Sequence, residues 1–568
     1  MLREPGRGAD LNRNGQGKTV VSSLWSYVSV PGLLVGALFF ALSLTPSLIP
    51  RTPLVQGALS GCIFAVGYAL GAVLQWIWIY LQLRLPNNRA GQAIRIGAVL
   101  AVSIVLVICL YHHTGWQNAV RAAMQLEPVQ EGNLLFVALV AIIPAVLLVA
   151  IGTMITRGVQ RVAAFLRRRL PPRAATLSSV VIVGTLTALL FSGVLLRGAL
   201  RMADNAFEQL DAVAGQFGDA APLETQRSGS TQSLIRWDSI GRDGRVYINT
   251  QPSRADIETL TGRPAIEPLR TYVGLRSADS AQERAHLALA EMLRIGAFDR
   301  STLVIIMPVG TGWVDPPSID ALEYLLDGDV ASVAMQYSYL TSPLSLVIEP
   351  TQGTDAAQAL FDEVYGYWRT LDEDERPRLY LNGLSLGANS SQASTMFLDI
   401  LGNPFDGALW VGPPFTSAVW GWSTKNRVAD SPSWRPVFGD SSSVRFANRG
   451  RDLTRIEGPW GPMRIAFLQY PTDPIVFFDY DTAFFSPSWI EGERGEGVSP
   501  DFRWFPIITF LQLAMDMALS NTSPVGYGHV YSPDDYVDAW HAIVEPPGWT
   551  DESLDRLKTV LSQSSGRE

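Results

Sequence analysis

The first 200 residues carry five long apolar stretches that are separated by short polar segments. The stretches lie at about 30–49, 54–82, 94–111, 133–156 and 177–196. Each is close to the roughly 20 apolar residues that a helix needs to cross a bilayer. A cleaved signal peptide would explain only the first stretch, and no small-x-small cleavage pattern follows it. The pattern predicts a membrane domain over residues 30–197 with about five transmembrane helices, preceded by a cytoplasmic tail at 1–29.

From residue 241 onward, short apolar runs alternate with amphipathic segments. The runs predict strands at about 301–307, 330–336, 378–383, 407–412 and 464–470, and helices at about 279–295, 355–371, 386–400 and 534–544. Strands that alternate with helices indicate a mostly parallel sheet with helices on both faces. A polar linker at 198–240 precedes this α/β domain (241–550), and residues 551–568 form a predicted C-terminal tail.

The alternation stops between Pro413 and Pro462, where Pro, Gly and Ser are frequent. This segment contains Trp420, Trp422, Trp434 and Trp460. An insertion at this point predicts a cap over the sheet at about 413–462. Its aromatic residues could line an apolar pocket, lie at the membrane interface, or pack the cap onto the sheet. The sequence leaves these alternatives open.

The two halves of the chain differ in charge. Residues 1–200 contain 16 Lys or Arg and four Asp or Glu, so the remainder holds 28 of the 44 basic and 49 of the 53 acidic residues. The acidic half has no basic patch, which argues against a nucleic-acid partner. The predicted partners are instead the lipid bilayer and a hydrophobic ester or lipid substrate; the oligomeric state is not predicted.

The arginines of the membrane domain are distributed unevenly among its loops. Six arginines lie between residues 157 and 173, and Arg84 and Arg89 follow the second apolar stretch, whereas the opposing loops hold only Arg51 and Arg121. Basic loops face the cytoplasm. The sequence therefore predicts a multi-pass protein of the cell membrane. With five spans and a cytoplasmic N-terminus, its C-terminal domain is predicted to be extracytoplasmic. Division of the second stretch into a re-entrant pair would reverse this orientation.

The strand at 378–383 runs directly into a Gly-x-Ser-x-Gly segment, and helix-forming sequence follows it. Gly383 and Gly387 flank Ser385 at the spacing of a nucleophile elbow, in which a tight turn lifts the serine hydroxyl off the sheet. Glycines at these positions let the strand and the helix pass close together. The alternative is an ordinary strand-to-helix turn. The context favours Ser385 as a catalytic nucleophile.

A carboxylate follows the predicted strand at 464–470. Asp473 occupies the position where a triad acid can accept a hydrogen bond from a histidine Nδ1–H and fix its tautomer. The alternative is that Asp473 only forms a turn, because Asp before a proline such as Pro474 is a common turn signal.

One histidine lies in a loop where a catalytic base is expected. The chain has His112, His113, His286, His529 and His541. Only His529 lies in a Gly-containing loop between two predicted helices and follows both Ser385 and Asp473. His541, inside an amphipathic helix, is the alternative base. The order Ser, Asp, His is typical of α/β-hydrolases.

The loop after the strand at 301–307 is rich in glycine. One oxyanion donor is predicted to be the Leu386 N–H, directly after the nucleophile, and the second is predicted in the Gly310–Thr311–Gly312 segment, where Thr311 is the candidate. A simple glycine turn is the alternative there. The sequence has no Cys/His metal spacing and no phosphate- or dinucleotide-binding motif, so no metal and no cofactor are predicted.

Several segments resemble a known family. They are 43–51 (SLTPSLIPR), 272–278 (YVGLRSA), 283–291 (ERAHLALAE), 310–316 (GTGWVDP) and 383–387 (GLSLG). Over about residues 30–545 the chain resembles the bacterial membrane-bound α/β-hydrolase family, which joins an N-terminal multi-span membrane domain to a C-terminal α/β-hydrolase domain. The resemblance implies the fold and the triad and does not specify a substrate.

The sequence leaves three functions to be weighed. The first is a membrane-anchored serine hydrolase that cleaves a carboxylic ester through an acyl-enzyme. The second is an envelope acyltransferase that uses the same triad but passes the acyl group to an alcohol. The third is a membrane scaffold in which the hydrolase domain is only a fold.

Overall fold

The structure is a computed structural model of the 568-residue chain. It describes residues 29–83, 88–190, 211, 220–340, 345, 351–395, 402–456 and 458–565. Residues 1–28 of the predicted tail (1–29) and much of the first half of the predicted linker lie outside these residues. The chain forms two compact units. The helical unit contains residues 29–45, 51–115 and 130–176, and the α/β unit contains Pro46–Pro50, Trp116–Val129 and the described residues from Leu177 onward.

The N-terminal region consists of apolar helices. They are α1 (Val30–Ser43), α2 (Pro53–Tyr80), α3 (Asn88–Ala123), α4 (Leu134–Leu166) and α5 (Pro172–Leu189). Four of these, α2 to α5, are long and apolar enough to cross a membrane. Helix α1 has 14 residues, about 21 Å. Thus four described helices have spanning length where about five spans were predicted. The predicted first span included Thr45 and Pro46. A proline disfavours the helical conformation of the residue before it, and the helix ends at Ser43.

Glycines bring the helices of the helical unit into close contact. A Cβ atom on Gly71 of α2 would lie 2.5 Å from the carbonyl oxygen of Pro31 in α1, and one on Gly61 would lie 2.2 Å from that of Ala141 in α4. Small residues at such crossings allow backbones to approach, which is how membrane helices gain packing energy without a hydrophobic driving force. The helical unit therefore has the internal packing expected of a membrane domain.

The α/β unit is built on a seven-stranded sheet. The strands are β1 (Leu269–Val273), β2 (Thr302–Met307), β3 (Val330–Met335), β4 (Arg378–Leu384), β5 (Gly407–Val411), β6 (Val444–Ala447) and β7 (Arg464–Leu468). Their order is β1-β3-β2-β4-β5-β7-β6 and every described pairing is parallel. Strands β1, β2 and β3 are buried along their whole length, as expected when both faces of a parallel sheet are covered. The predicted fold class is confirmed.

Helices and 3₁₀ turns connect the strands. The helices are α6 (Arg242–Asn249), α7 (Arg254–Thr261), α8 (Ala281–Ile295), α9 (Pro316–Leu325), α10 (Gln352–Trp368), α11 (Leu386–Ser394), α12 (Ala418–Lys425), α13 (Pro474–Phe477), α14 (Ile508–Ala518), α15 (Pro533–Val544) and α16 (Asp551–Ser565). Since parallel strands share one carboxyl edge, the loops after β2, β4, β5 and β7 converge there. This edge receives the predicted site residues.

The segment predicted as a cap, 413–462, is only partly an insertion. It contains α12, but it also returns to the sheet as β6, which pairs with β7. Trp420 is buried and Trp434 and Trp460 pack against the core, whereas Trp422 is 61% exposed. Three of the four tryptophans therefore serve packing. The four-residue strand β6 was missed because it lies in a Pro- and Gly-rich region and is too short to show a period.

Two predicted boundaries also differ from the structure. Ile235, Trp237 and Ile240, in the second half of the predicted linker, are buried in the core of the α/β unit. The predicted C-terminal tail is the helix α16, whose Leu557 and Leu561 are buried. The α/β domain therefore extends beyond 241–550 on both sides, because apolar positions in both segments pack on the sheet domain.

Candidate active site

Ser385 lies in a strained turn between β4 and α11. Its backbone angles are φ 56° and ψ −123°, in a region that costs a non-glycine residue on the order of 1–3 kcal/mol. The Ser385 N–H donates to the carbonyl oxygen of Val411 at the end of β5, at 2.9 Å. This strand, strained serine and helix have the geometry that a nucleophile elbow requires.

The two glycines of the turn are required by close backbone contacts. A Cβ on Gly383 would lie 2.5 Å from the carbonyl carbon of Gly387, and a Cβ on Gly387 would lie 2.0 Å from the carbonyl oxygen of Met307. Both contacts are shorter than any side chain tolerates. The glycines thus allow α11 to start directly against the ends of β2 and β4, which places Ser385 at the carboxyl edge.

Asp473 is fully buried after β7 and uses its two carboxylate oxygens differently. Oδ1 accepts a hydrogen bond from the Ile475 N–H at 2.9 Å and so caps the short helix α13. Oδ2 accepts from His529 Nδ1 at 2.7 Å. The two alternatives from the sequence are therefore both realised: Asp473 forms the turn before Pro474 and also holds a histidine.

His529 is held in a loop that closes on itself. The Gly526 N–H donates to the Val530 carbonyl at 2.8 Å, and the His529 N–H donates to the Ser520 carbonyl at 3.2 Å. Gly528 has φ 57° and donates to Thr472 Oγ1 at 2.9 Å. Since Thr472 adjoins Asp473, this bond ties the histidine loop to the turn that carries the carboxylate. Loop and acid are positioned together.

The His529 ring packs against Gly412, at the end of β5. A Cβ on Gly412 would lie 2.7 Å from His529 Cε1, and Gly412 directly follows Val411, the acceptor of the Ser385 N–H. His529 Nε2 is buried and has no hydrogen-bond partner among the described residues. The structure therefore joins Asp473 and His529 by a hydrogen bond and places the His529 ring one residue from the acceptor of the Ser385 N–H.

The other histidines lie elsewhere. His541 is on α15, and burial lowers its pKa; the Asp473 carboxylate is bonded to His529 instead. His286 is on the surface of α8, 3.5 Å from Glu363. His113 bonds the Leu44 carbonyl at 3.1 Å. The alternative base His541 is therefore not supported by the geometry.

Two hydrogen bonds hold Thr311 in the predicted oxyanion segment. Thr311 Oγ1 donates to Asp243 at 2.7 Å, and the Thr311 carbonyl accepts from Gln336, after β3, at 2.9 Å. The Thr311 side chain is thus bonded to α6, and its carbonyl to the residue that follows β3. Gly310 adjoins it in a turn closed by the Val309 N–H to Trp313 carbonyl bond at 3.1 Å. Leu386 opens α11, where N–H groups have no intrahelical acceptor.

Residues that the sequence analysis did not select surround the acid. The Tyr531 hydroxyl donates to Asp473 Oδ2 at 2.8 Å, and the Tyr470 ring stacks on the Tyr531 ring with centroids 4.4 Å apart. The available signal was local: Tyr531 follows His529 by two residues, and Tyr470 ends the segment before Asp473. No group of three or more His, Cys, Asp or Glu in the described part of the chain could hold a metal ion.

A strained serine at the carboxyl edge of a parallel sheet, beside a buried Asp–His pair, is the arrangement of α/β-hydrolases. Residues 269–557, more than half of the chain, match the family described as "Alpha/beta-hydrolase family", and residues 44–252 match "Alpha/beta-hydrolase family N-terminus". The chain belongs to this α/β-hydrolase family. The search of curated proteins and the search of solved structures each gave no match.

Proposed function

We propose that the protein is a membrane-anchored serine hydrolase that cleaves carboxylic esters through Ser385, Asp473 and His529. The observation that carries the proposal is the His529–Asp473 hydrogen bond of 2.7 Å, with the imidazole ring against Gly412, next to the partner of Ser385. A scaffold would gain nothing from a serine held at φ 56°, whereas strain of this kind is maintained where it serves a reaction.

The residues support an acyl-enzyme reaction. Ser385 Oγ attacks the ester carbonyl carbon while His529 Nε2 takes the hydroxyl proton. Asp473 stabilises the imidazolium that forms. The C–O bond to the alcohol then breaks, and His529 returns the proton to the departing alkoxide. A water molecule, deprotonated by the same nitrogen, attacks the acyl-enzyme and releases the carboxylic acid and Ser385.

The negative oxygen of the tetrahedral intermediate needs two N–H donors. Leu386 N–H is one, since it follows the nucleophile at the start of α11. Gly310 supplies the second in this proposal, because the Val309 N–H already donates to the Trp313 carbonyl, while Thr311 is held by its side chain to Asp243 and by its carbonyl to Gln336. The N–H of the neighbouring Thr311 is the alternative second donor.

An apolar substrate fits the aromatic residues near the site. Phe415, three positions after Gly412, has its ring 5.0 Å from that of Phe478 and 5.2 Å from that of Tyr480. Such a surface favours an ester with an acyl or alkyl chain over a small polar ester.

The catalytic domain is proposed to lie outside the cell membrane, opposite the basic loops. Helices α2 to α5 make four crossings between residues 53 and 189, which returns the chain to the side on which residue 50 lies. The six arginines between 157 and 173 and the loop with Arg84 then fall on the other side. Pro46–Pro50 and Trp116–Val129 belong to the α/β unit, in agreement with this count. The side of the catalytic domain does not depend on whether α1 crosses.

Labelling by a fluorophosphonate probe tests the proposal. Ser385 Oγ displaces fluoride from the phosphorus and forms a stable Oγ–P bond, and this displacement needs the His529 base. The full chain in detergent should be labelled, whereas Ser385→Ala and His529→Ala should not. The matched control is Ser390→Ala, a buried serine one turn further along α11, which should be labelled like wild type. Equal labelling of wild type and Ser385→Ala would exclude the mechanism.

A further inference from the structure

Asp473 is the acceptor of more hydrogen bonds than a triad acid needs. Oδ2 accepts one hydrogen bond from His529 Nδ1, at 2.7 Å, and another from the Tyr531 hydroxyl, at 2.8 Å. Oδ1 receives the Ile475 N–H at 2.9 Å. The carboxylate is fully buried, so each of these bonds stabilises its negative charge. The histidine and the tyrosine share one oxygen atom.

The direction of the Tyr531 bond is fixed by its surroundings. The Tyr470 N–H points at the Tyr531 oxygen at 3.4 Å, so that this oxygen accepts from the backbone and directs its own proton toward Asp473. Burial, and after it the charge of Asp473, raises the pKa of Tyr531 well above its usual value. The phenol therefore stays protonated and remains a donor around neutral pH.

The tyrosine ring is itself held rigidly. The Tyr470 ring stacks on one face of it, at 4.4 Å and 18°, and the His529 ring meets it edge-on, at 5.8 Å and 83°. A Cβ on Gly412 would lie 2.9 Å from Tyr531 Cε2. The hydroxyl cannot swing away from Asp473 without displacing the histidine loop.

A second set of charges lies behind the tyrosine pair. The Tyr470 hydroxyl donates to Asp535, which also accepts from the Gly450 N–H at 2.8 Å. Arg449 lies 3.6 Å from Asp535 and donates to the Gly526 carbonyl at 2.7 Å, in the histidine loop. The titratable groups that contact Asp473 or Tyr531 are thus His529 and Tyr470, with Asp535 and Arg449 one step further away.

We propose that Tyr531 is a positioning residue that holds the Asp473 carboxylate against His529 and moderates the charge that this carboxylate presents to the imidazole. The inference rests on the proposed function. The Tyr531 hydroxyl partly neutralises the negative charge on Asp473 Oδ2, the oxygen that accepts from His529. As a result, Asp473 stabilises the imidazolium form of His529 less than it would without the hydroxyl. The neutral imidazole, which can accept the serine proton, then persists to a lower pH. The hydroxyl also prevents the carboxylate from rotating about its Cβ–Cγ bond.

The test is the pH dependence of the second-order rate constant for fluorophosphonate labelling of the full chain. Tyr531→Phe keeps the ring and removes only the donor. The pH midpoint of the acid limb should rise by about half a unit to one unit, and the rate at pH values well below the midpoint should fall about three- to tenfold. The matched control is Tyr470→Phe, which removes the bond to Asp535 from the same stacked pair. It should lower the melting temperature without shifting the midpoint.

A variant with the opposite effect covers the case in which Tyr531→Phe does not fold. 3-Fluorotyrosine at position 531 has a more acidic hydroxyl and nearly the same shape, so the midpoint should shift downward. Superimposable profiles for wild type and 3-fluorotyrosine, or equal shifts in Tyr531→Phe and Tyr470→Phe, would overturn the inference. These results differ from labelling of Ser385→Ala, which would refute the proposed function itself.

Discussion

Ser47 and Asp516, which are 469 positions apart in the chain, share a hydrogen bond in the core of the α/β unit. The Asp516 carboxylate also accepts from the Leu48 N–H at 3.0 Å. Leu48 and Ile49 are buried in the same core. The segment Pro46–Pro50, which connects two apolar helices in the sequence, is therefore a structural part of the domain that carries Ser385 and His529.

Removal of this bond should destabilise the α/β unit. Ser47→Ala removes one hydrogen bond to a buried carboxylate, and Asp516→Asn removes the charge that this hydrogen bond and the Leu48 N–H stabilise; each change costs about 1–3 kcal/mol. Thermal unfolding of the full chain in detergent, followed by tryptophan fluorescence, should show a lower melting temperature for both. Asp501→Asn, at an exposed carboxylate seven positions before the start of α14, should melt like wild type. An unchanged melting temperature for Asp516→Asn would contradict the expectation.

The glycines of the serine turn should tolerate no side chain. In Gly387→Ala the new Cβ would lie 2.0 Å from the Met307 carbonyl oxygen, so the backbone of α11 or β2 must move, at a cost of about 3 kcal/mol or more. We expect low yield of folded protein and loss of fluorophosphonate labelling.

The control for this substitution is Gly366→Ala in α10. A Cβ there meets no atom within 4 Å, and replacement of a helical glycine by alanine stabilises by about 0.5–1 kcal/mol. Its melting temperature should equal or exceed that of wild type. A Gly387→Ala protein that melts and labels like Gly366→Ala would show that the close contact is not real.

The backbone strain at Ser385 should be measurable as a difference in the free energy of unfolding between two variants. Ser385→Gly relieves the φ of 56°, whereas Ser385→Ala keeps a Cβ in the same conformation. The glycine variant should be more stable than the alanine variant by about 1 kcal/mol, although both lose the nucleophile. Chemical unfolding of the two inactive variants gives this difference directly. A less stable glycine variant would mean that the turn carries no strain.

A buried charge cluster around Arg270 should make stability depend on pH. The Arg270 guanidinium contacts Asp320 at 2.5 Å and Glu323 at 2.6 Å, and all three side chains are buried. Burial raises the pKa of Asp320 from 3.8 to about 7, since one guanidinium cannot compensate two buried carboxylates.

The sign follows from proton binding. Between pH 3.8 and about 7 the folded protein keeps the proton of Asp320 and the unfolded chain has lost it. The contribution of this group to stability is therefore full at low pH and is lost as the pH rises through about 7. Asp320→Asn should remove this contribution, so that the stability difference between variant and wild type changes between pH 5 and 8. A constant difference over that range would contradict the raised pKa.

Local patterns were sufficient to predict most of the sheet and to select three candidate triad residues. Ser385 and Asp473 each follow an apolar strand directly, and His529 lies in a glycine loop further along, so the type and order of the elements define the candidates. Strands β1 and β6 were missed. Strand β1 is five residues long and lies in a segment assigned only by resemblance, and β6 has four residues inside a Pro-rich insertion.

The remaining features of the site depend on contacts between distant segments. The bond from Ser47 to Asp516 and the turn of Thr311 toward Asp243 join residues whose proximity is set only by the completed fold. Tyr531 was adjacent to the predicted base, but a tyrosine near a histidine has no preferred partner in sequence. Its bond to Asp473 requires the two loops to be placed side by side.

Single cysteines should report the side of the membrane on which the catalytic domain lies. With Cys62 and Cys109 replaced by serine, cysteine is introduced at Asp374, Glu127 or Arg169, all exposed positions. Asp374 belongs to the α/β unit, Glu127 to the segment between α3 and α4, and Arg169 to the basic loop between α4 and α5. Four crossings by α2 to α5 place the first two on one side and the third on the other.

A membrane-impermeant maleimide applied to intact cells should therefore modify Asp374→Cys and Glu127→Cys, and should modify Arg169→Cys only after permeabilisation. Fluorophosphonate labelling of each variant verifies that the site is intact, since none of the three positions touches it. Modification of Arg169→Cys alone in intact cells would place the catalytic domain in the cytoplasm. An ester available only in the cell envelope would then no longer be a candidate substrate, because the active site would face acyl carriers and inner-leaflet lipids instead.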